Sequence, residues 1–252
     1  MKTLTVLTLI FIFSGSAACM EFSMQEQYNT DRWFMLPSDN KLIVIGISNP
    51  MIKRQDEIIS AKEDAARKIA MFFGVHGTVE VTNSIGSNIL DYSHESNISL
   101  SYDSDYESFI DKLKYDPKDI LITAEAVFIR FWFDADIDGI NYTADTGVNR
   151  PAWTRNQDLP DIPGYVTSVG FARNQRRLKD TIFKSTEDAI TRMIADLHTV
   201  INTKEISIAG KNSSSYIHTK SEGNINNFHV IELWIDPDTR FVYTLAVARK
   251  GI

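Results

Sequence analysis

Two distant stretches of this chain read as the same short strand running into the same kind of helix, a recurrence that restricts the fold to two related units. Leu42-Ile43-Val44-Ile45-Gly46-Ile47-Ser48 resembles Tyr165-Val166-Thr167-Ser168-Val169-Gly170-Phe171-Ala172, so each apolar run carries one glycine. In the following segment of the first copy, Ile58, Ala61, Ala65, Ile69 and Phe72 recur every three or four residues; in the second, Ile182, Ala189, Met193 and Leu197 do so. That period places them on one helix face. Glu63-Asp64-Ala65 aligns with Glu187-Asp188-Ala189, and Lys62, Arg67, Lys68, Asp188 and Arg192 fall on the solvated faces.

Each helix leads into an extended segment, 75–82 and 200–208, and each copy closes on an aromatic strand. Phe131-Trp132-Phe133-Asp134 matches Leu233-Trp234-Ile235-Asp236, with both tryptophans read as core. In the second copy a turn at Asp238-Thr239 gives a last strand over 241–248; the first has a weak equivalent at 140–144. The glycines are 124 positions apart (170 minus 46) and the tryptophans 102 (234 minus 132), which assigns 22 extra residues to the first copy. They are placed within 84–118, where Ile98, Leu100 and Tyr102 alternate as an added strand and Phe109, Leu113 and Tyr115 suggest a short helix. The stretch 146–163, with Gly147, Pro151, Pro160 and Pro163, reads as a linker. The units are thus 31–145 and 164–252.

A single helix among antiparallel strands must lie across one face of its sheet. The expected class is therefore α+β: two tandem two-layer units, each an antiparallel-rich sheet with one long helix packed on it. Such units can pack sheet to sheet or share one sheet, with pseudo-twofold symmetry.

The N-terminus sets the compartment. Lys2, an apolar run from Leu4 to Phe13 and small residues from Ser14 to Ala18 form the three parts of an export signal, residues 1–18. The run is shorter than the ~20 residues a membrane span needs. Signal peptidase would also accept Ser16-x-Ala18; Cys19, the only cysteine, is what marks a lipoprotein. Its thiolate can take a diacylglyceryl group, and each buried methylene of palmitate-type chains adds about 0.8 kcal/mol of anchoring. Residues 19–30 then act as the tether. Met20 does not resemble an inner-membrane retention residue, so the outer membrane is the expected destination, with its face left open. A net charge of -7 argues against nucleic acid, which selects concentrated positive charge. With no second cysteine, no internal disulfide forms in the mature chain.

These landmarks resemble the Lpp-twenty family of bacterial lipoproteins. Trp33, Gly46, residues 61–70, residues 75–81 and Trp132 carry the likeness in the first copy; Gly170, Ala189, Ala195, Val200, Trp234 and Tyr243 carry it in the second. The resemblance implies a non-enzymatic envelope lipoprotein that assembles with other envelope proteins or with itself, in a flagellum-associated complex or as a surface antigen.

Three constellations qualify as sites. Asp134, Asp136, Asp138 and Asp145, with Gly139, fall at calcium-loop positions one, three, five, twelve and six. Asn141 and the strand-like flanks fit that loop poorly, and Asp-Gly is itself a favoured hairpin dipeptide, so a plain turn is the stronger reading. Lys53-Arg54 and Arg176-Arg177 stand just before the two helices, where cations oppose the helix dipole. They suit lipid phosphate, an anionic glycan or an acidic partner, against the simpler reading of a solvated basic turn. The five histidines lack metal spacing, Ser213 to Ser215 lacks nucleophile-elbow glycines, and no phosphate loop or cofactor motif occurs. No catalytic set converges, so the expectation is a structural or assembly component; a module binding calcium or a cell-wall fragment is the rival.

Overall fold

The computed structural model describes residues 35, 40–85, 92–102, 105–135, 137, 140–143, 150–155, 158–173, 175–207 and 213–249. The first half runs β1 (Lys41–Ser48), α1 (Arg54–Phe73), β2 (Val75–Ile85), β3 (Tyr92–Tyr102), α2 (Glu107–Ile110), β4 (Lys114–Ile122) and β5 (Val127–Asp134). After a 3-10 turn (Ala152–Arg155) come β6 (Tyr165–Ala172), α3 (Leu178–His198), β7 (Thr199–Ser207), β8 (Ser213–Ile225), β9 (His229–Ile235) and β10 (Val242–Arg249). The fold is α+β. Three antiparallel sheets form, in the orders β1-β5-β4, β6-β10-β9 and β3-β2-β8-β7.

Strand alternation divides the faces. Leu42 and Val44 of β1, with Val127, Ile129 and Phe131 of β5, pack on Ala61, Ala65 and Ile69 of α1. On the other face Ile45, Ile47 and Phe128 join Ile182, Ile190 and Met193 of α3 and Val242, Ala246 and Ala248 of β10. One continuous core therefore binds the two halves. Each large apolar side chain in it contributes about 1.5–3 kcal/mol by leaving water.

The helices approach their strands closely because glycine leaves room. A Cβ on Gly46 would lie 2.1 Å from the Ala61 carbonyl oxygen, and one on Gly170 1.9 Å from that of Ser185. The first strand of each three-stranded sheet is an edge, with outward backbone groups that need partners. Helix side chains supply them. Asp64 Oδ2 accepts the Ile47 N–H at 2.9 Å, and Lys68 Nζ donates to Ile45 O at 2.6 Å and to Asp64 at 2.8 Å. In the second half Asp188 Oδ2 accepts the Phe171 N–H at 2.9 Å and the Arg192 Nε–H at 2.9 Å.

The hydrogen-bond register corrects the sequence landmarks. Trp132 sits on β5, the middle strand of its sheet, whereas Trp234 sits on β9, an outer one; β10 holds the place that β5 holds. Gly46 faces Ile129 and Gly170 faces Thr244, spans of 83 (129 minus 46) and 74 (244 minus 170) residues. The excess is nine residues, not 22. Most of it is the connection 103–113 carrying α2, where the second half passes from β8 to β9 in 226–228. Similar aromatic strand sequences misled the alignment because residue type does not encode strand order. Trp234 is buried as expected, but Trp132 is only half-buried. Residues 140–143 form no strand, and Tyr115 belongs to β4 rather than to a helix. The β4 register breaks between Tyr115 and Ile120, around Pro117, which has no N–H to offer the ladder.

Two further features differ from expectation. The stretch 146–163 is more than a connector, since Trp153 and Ile162, with Ile140, cover Val169, Ile231, Leu245 and Val247 on the face of the second sheet turned from α3. A twofold axis between the halves would set β2 beside β7 or β3 beside β8. Instead β2 pairs β8, from Val75↔Ile225 to Ile85↔Ser215.

Candidate functional site

The loops ahead of the two long helices frame a recess, and their shape comes from how each helix start is satisfied. No side chain caps α1 at Lys53, whose carbonyl accepts the Asp56 and Glu57 N–H groups at 3.1 and 3.3 Å. Buried Glu57 reaches back instead: Oε1 accepts the Met51 N–H at 2.8 Å and Oε2 pairs with Arg54. At α3, Thr181 Oγ1 accepts the Gln175 N–H at 2.9 Å and donates to Arg177 O at 3.1 Å. Both loops are thus folded back by a side chain from the first helical turn.

Between them opens a cleft of about 700 Å³. Asn49, Pro50 and Met51 form one wall, Gln175, Arg176 and Arg177 another, and the β4–β5 turn at Ala124 and Glu125 a third. Glu125 is tied to Arg240 of the β9–β10 turn, which draws the two halves together at the rim. Arg176 and Arg177 are exposed and have no ion-pair partner among the described residues. Met51 is 42% exposed and Ile52 fully exposed, an apolar pair beside the cations. The Asn49 Oδ1 is shielded from solvent without a hydrogen-bond partner among the described residues. This combination of free guanidinium groups and exposed apolar side chains is suited to recognition of an acidic, partly apolar surface.

The structure brings Arg176 and Arg177 into this cleft but leaves Lys53 and Arg54 outside its lining. Arg54, the first residue of α1, is engaged by Glu57, while Leu178 at the start of α3 is buried. Apolar Met51-Ile52 directly before Lys53-Arg54 was the visible sequence signal for a contact loop. Nothing in the sequence foretold that Glu125 or Gln175 would join it.

Of the four aspartates of the acidic turn, Asp134 alone is among the described residues; it ends β5 and accepts a 2.5 Å bond from Lys114 Nζ. That bond, with the charges of Lys114 and Lys41, holds its carboxyl below the usual value against the opposing effect of desolvation. Asp136, Asp138 and Asp145 lie outside the described residues, as does Cys19. Among the described residues no three His, Cys, Asp or Glu side chains are grouped to hold a metal ion. The Asp236 turn is a hairpin whose carboxylate accepts the N–H groups of Asp238 and Thr239 at 2.9 and 3.0 Å. Among the same residues no helix is long and apolar enough to cross a membrane. His229 is fully buried with Nε2 against Met35 O, and burial lowers its pKa to about 4. No family model, curated protein or solved structure matches the chain.

Proposed function

We propose that this chain is a lipid-anchored envelope protein, a member of the Lpp-twenty group, that works as a non-enzymatic assembly component through protein contacts. The observation that carries the proposal is Cys19, directly behind an apolar run and small residues that fit an export signal. Acylation there would tether the folded part through residues 19–30 and fix it beside other envelope proteins. The cleft between the pre-helix loops supports a contact role: Arg176 and Arg177 offer forked donors to carboxylates, and Met51 and Ile52 offer apolar surface. The two halves are read as copies of one unit.

A photo-crosslinking residue at Ile52, activated in intact cells, tests both parts. Envelope proteins should be captured by the unaltered chain, lost with Arg176→Glu/Arg177→Glu, and lost with Cys19→Ala as the chain leaves the membrane fraction. Membrane retention of Cys19→Ala, or capture unaffected by charge reversal, would overturn the reading.

A further inference from the structure

A second cleft, of about 230 Å³, opens where β6 and β10 meet the 3-10 turn, and its charged lining among the described residues is three arginines, Arg150, Arg155 and Arg192, with no carboxylate. On a chain of net charge -7 that concentration of one sign is opposite to the average surface. The rest of the lining includes the rings of Phe171, Phe241 and Tyr243, and Phe171 is 47% exposed.

Two of the three guanidinium groups, those of Arg150 and Arg192, are held in place rather than free to wander. Arg150 Nε donates to Thr154 Oγ1 at 2.8 Å, one terminal nitrogen donates to Tyr243 Oη at 3.1 Å, and its Cζ lies 5.1 Å from the Tyr243 ring centre. Buried Thr154 is fixed in turn by donating to Pro151 O at 2.8 Å. Arg192 sits 5.1 Å from the centre of the Phe171 ring, oriented through Nε by Asp188. That bond takes up Nε alone and leaves the two terminal nitrogens of this lining residue unengaged by Asp188. Arg155 has no ion-pair partner among the described residues. Guanidinium groups stacked on rings keep their donor edge available, and a planar fork matches an oxyanion in two-point contact.

We propose that this cleft is a binding site for a single oxyanion, a carboxylate or a phosphate, carried on an apolar or aromatic body of side-chain size. The oxyanion sits between Arg155, Arg192 and the outer edge of Arg150, while the body lies against Phe171 and Tyr243. The volume admits one such group, not an extended polymer. The site is independent of the contact role assigned to the pre-helix loops, from which it shares no lining residue.

Titration of the full chain in detergent with benzoate and phenyl phosphate tests it, with benzamide as the uncharged ring and acetate and inorganic phosphate as ringless anions. Heat and tryptophan fluorescence report binding, because Arg150 also lies 5.7 Å from the Trp234 ring. A ring-bearing anion should saturate with a Kd of about 1 mM, and Arg155→Glu and Arg192→Gln should each weaken it about tenfold with circular dichroism unchanged. Saturation by benzoate alone makes the natural group a carboxylate, by phenyl phosphate alone a phosphate ester, and either supports the site. Equal binding of benzamide or of the ringless anions overturns the proposal. So does unchanged affinity in both variants, or no saturation below about 10 mM.

Discussion

Replacing Gly170 by alanine adds one methyl group where α3 crosses β6 most closely. Its Cβ would stand 1.9 Å from Ser185 O and 2.3 Å from Ala189 N, where ordinary contact begins at 3.4 Å. Both neighbours are helix backbone, so no side chain can swing aside; α3 must retreat by roughly 1.5 Å at that turn to restore ordinary contact. Overpacking of this kind costs about 1–3 kcal/mol. The retreat also breaks the 2.5 Å bond between Ser185 Oγ and Thr244 Oγ1, for about 1 kcal/mol more. The expected loss is therefore about 3 kcal/mol, which for a urea m-value of about 3 kcal/mol/M moves the midpoint down by about 1 M. Gly164 supplies the control. Its φ is +83° with nothing within 4 Å of a Cβ, so Gly164→Ala meets backbone strain without collision and costs about 1 kcal/mol. Urea unfolding followed by tryptophan fluorescence compares the two; a Gly170→Ala loss no larger than that of Gly164→Ala refutes the close-approach account.

Asp64→Ala should cost about 3–5 kcal/mol, since it strands the buried Lys68 ammonium and the Ile47 N–H, whereas Asp188→Ala, whose ion pair is about one-third exposed, should cost about 1–2 kcal/mol. Equal losses in urea unfolding would contradict that ranking. His229 binds a proton in the unfolded chain near its ordinary 6.5 but in the fold only near about 4. The unfolded state therefore holds more protons between those values, so stability is complete above pH 6.5 and falls, by on the order of 3 kcal/mol, as pH drops toward 4. His229→Gln should flatten that part of the stability profile, and an unchanged slope would show that another group titrates there.

Periodicity was informative where one residue pattern has one structural outcome. The helical spacing of Ala61, Ala65 and Ile69 and the strand around Gly46 both correspond to elements, because amphipathic period fixes local conformation. The strand at Ile98, Leu100 and Tyr102 was legible for the same reason. Strand order was not. Trp132 and Trp234 share a local context yet occupy a central and an outer strand, since order depends on which edges meet in space. The linker composition of 146–163 hid Trp153 and Ile162, whose burial depends on a sheet face exposed by distant β10. At the sites, Arg176 and Arg177 were visible as a charge pair before a helix. The arginine cleft was not visible, because Arg150, Phe171, Arg192 and Tyr243 come from four separate segments.

One local device serves the two halves differently. In each, a helix aspartate takes the N–H of the residue after the strand glycine and pairs with a cation one turn on. In the first half that residue is Ile47, buried against α3 and the second sheet, and Lys68 is used up by Asp64 and Ile45 O. In the second half the corresponding residue is Phe171, on the same sheet face as Val169 but left 47% exposed beside the 3-10 turn. Arginine there changes the outcome, since Asp188 engages only Nε and a guanidinium has two more nitrogens to present. Lys in that position would satisfy Asp188 and offer a mobile ammonium without a fork. Arg192→Lys should therefore preserve stability while still weakening capture of a ring-bearing anion, a separation that a purely structural role for Arg192 does not produce.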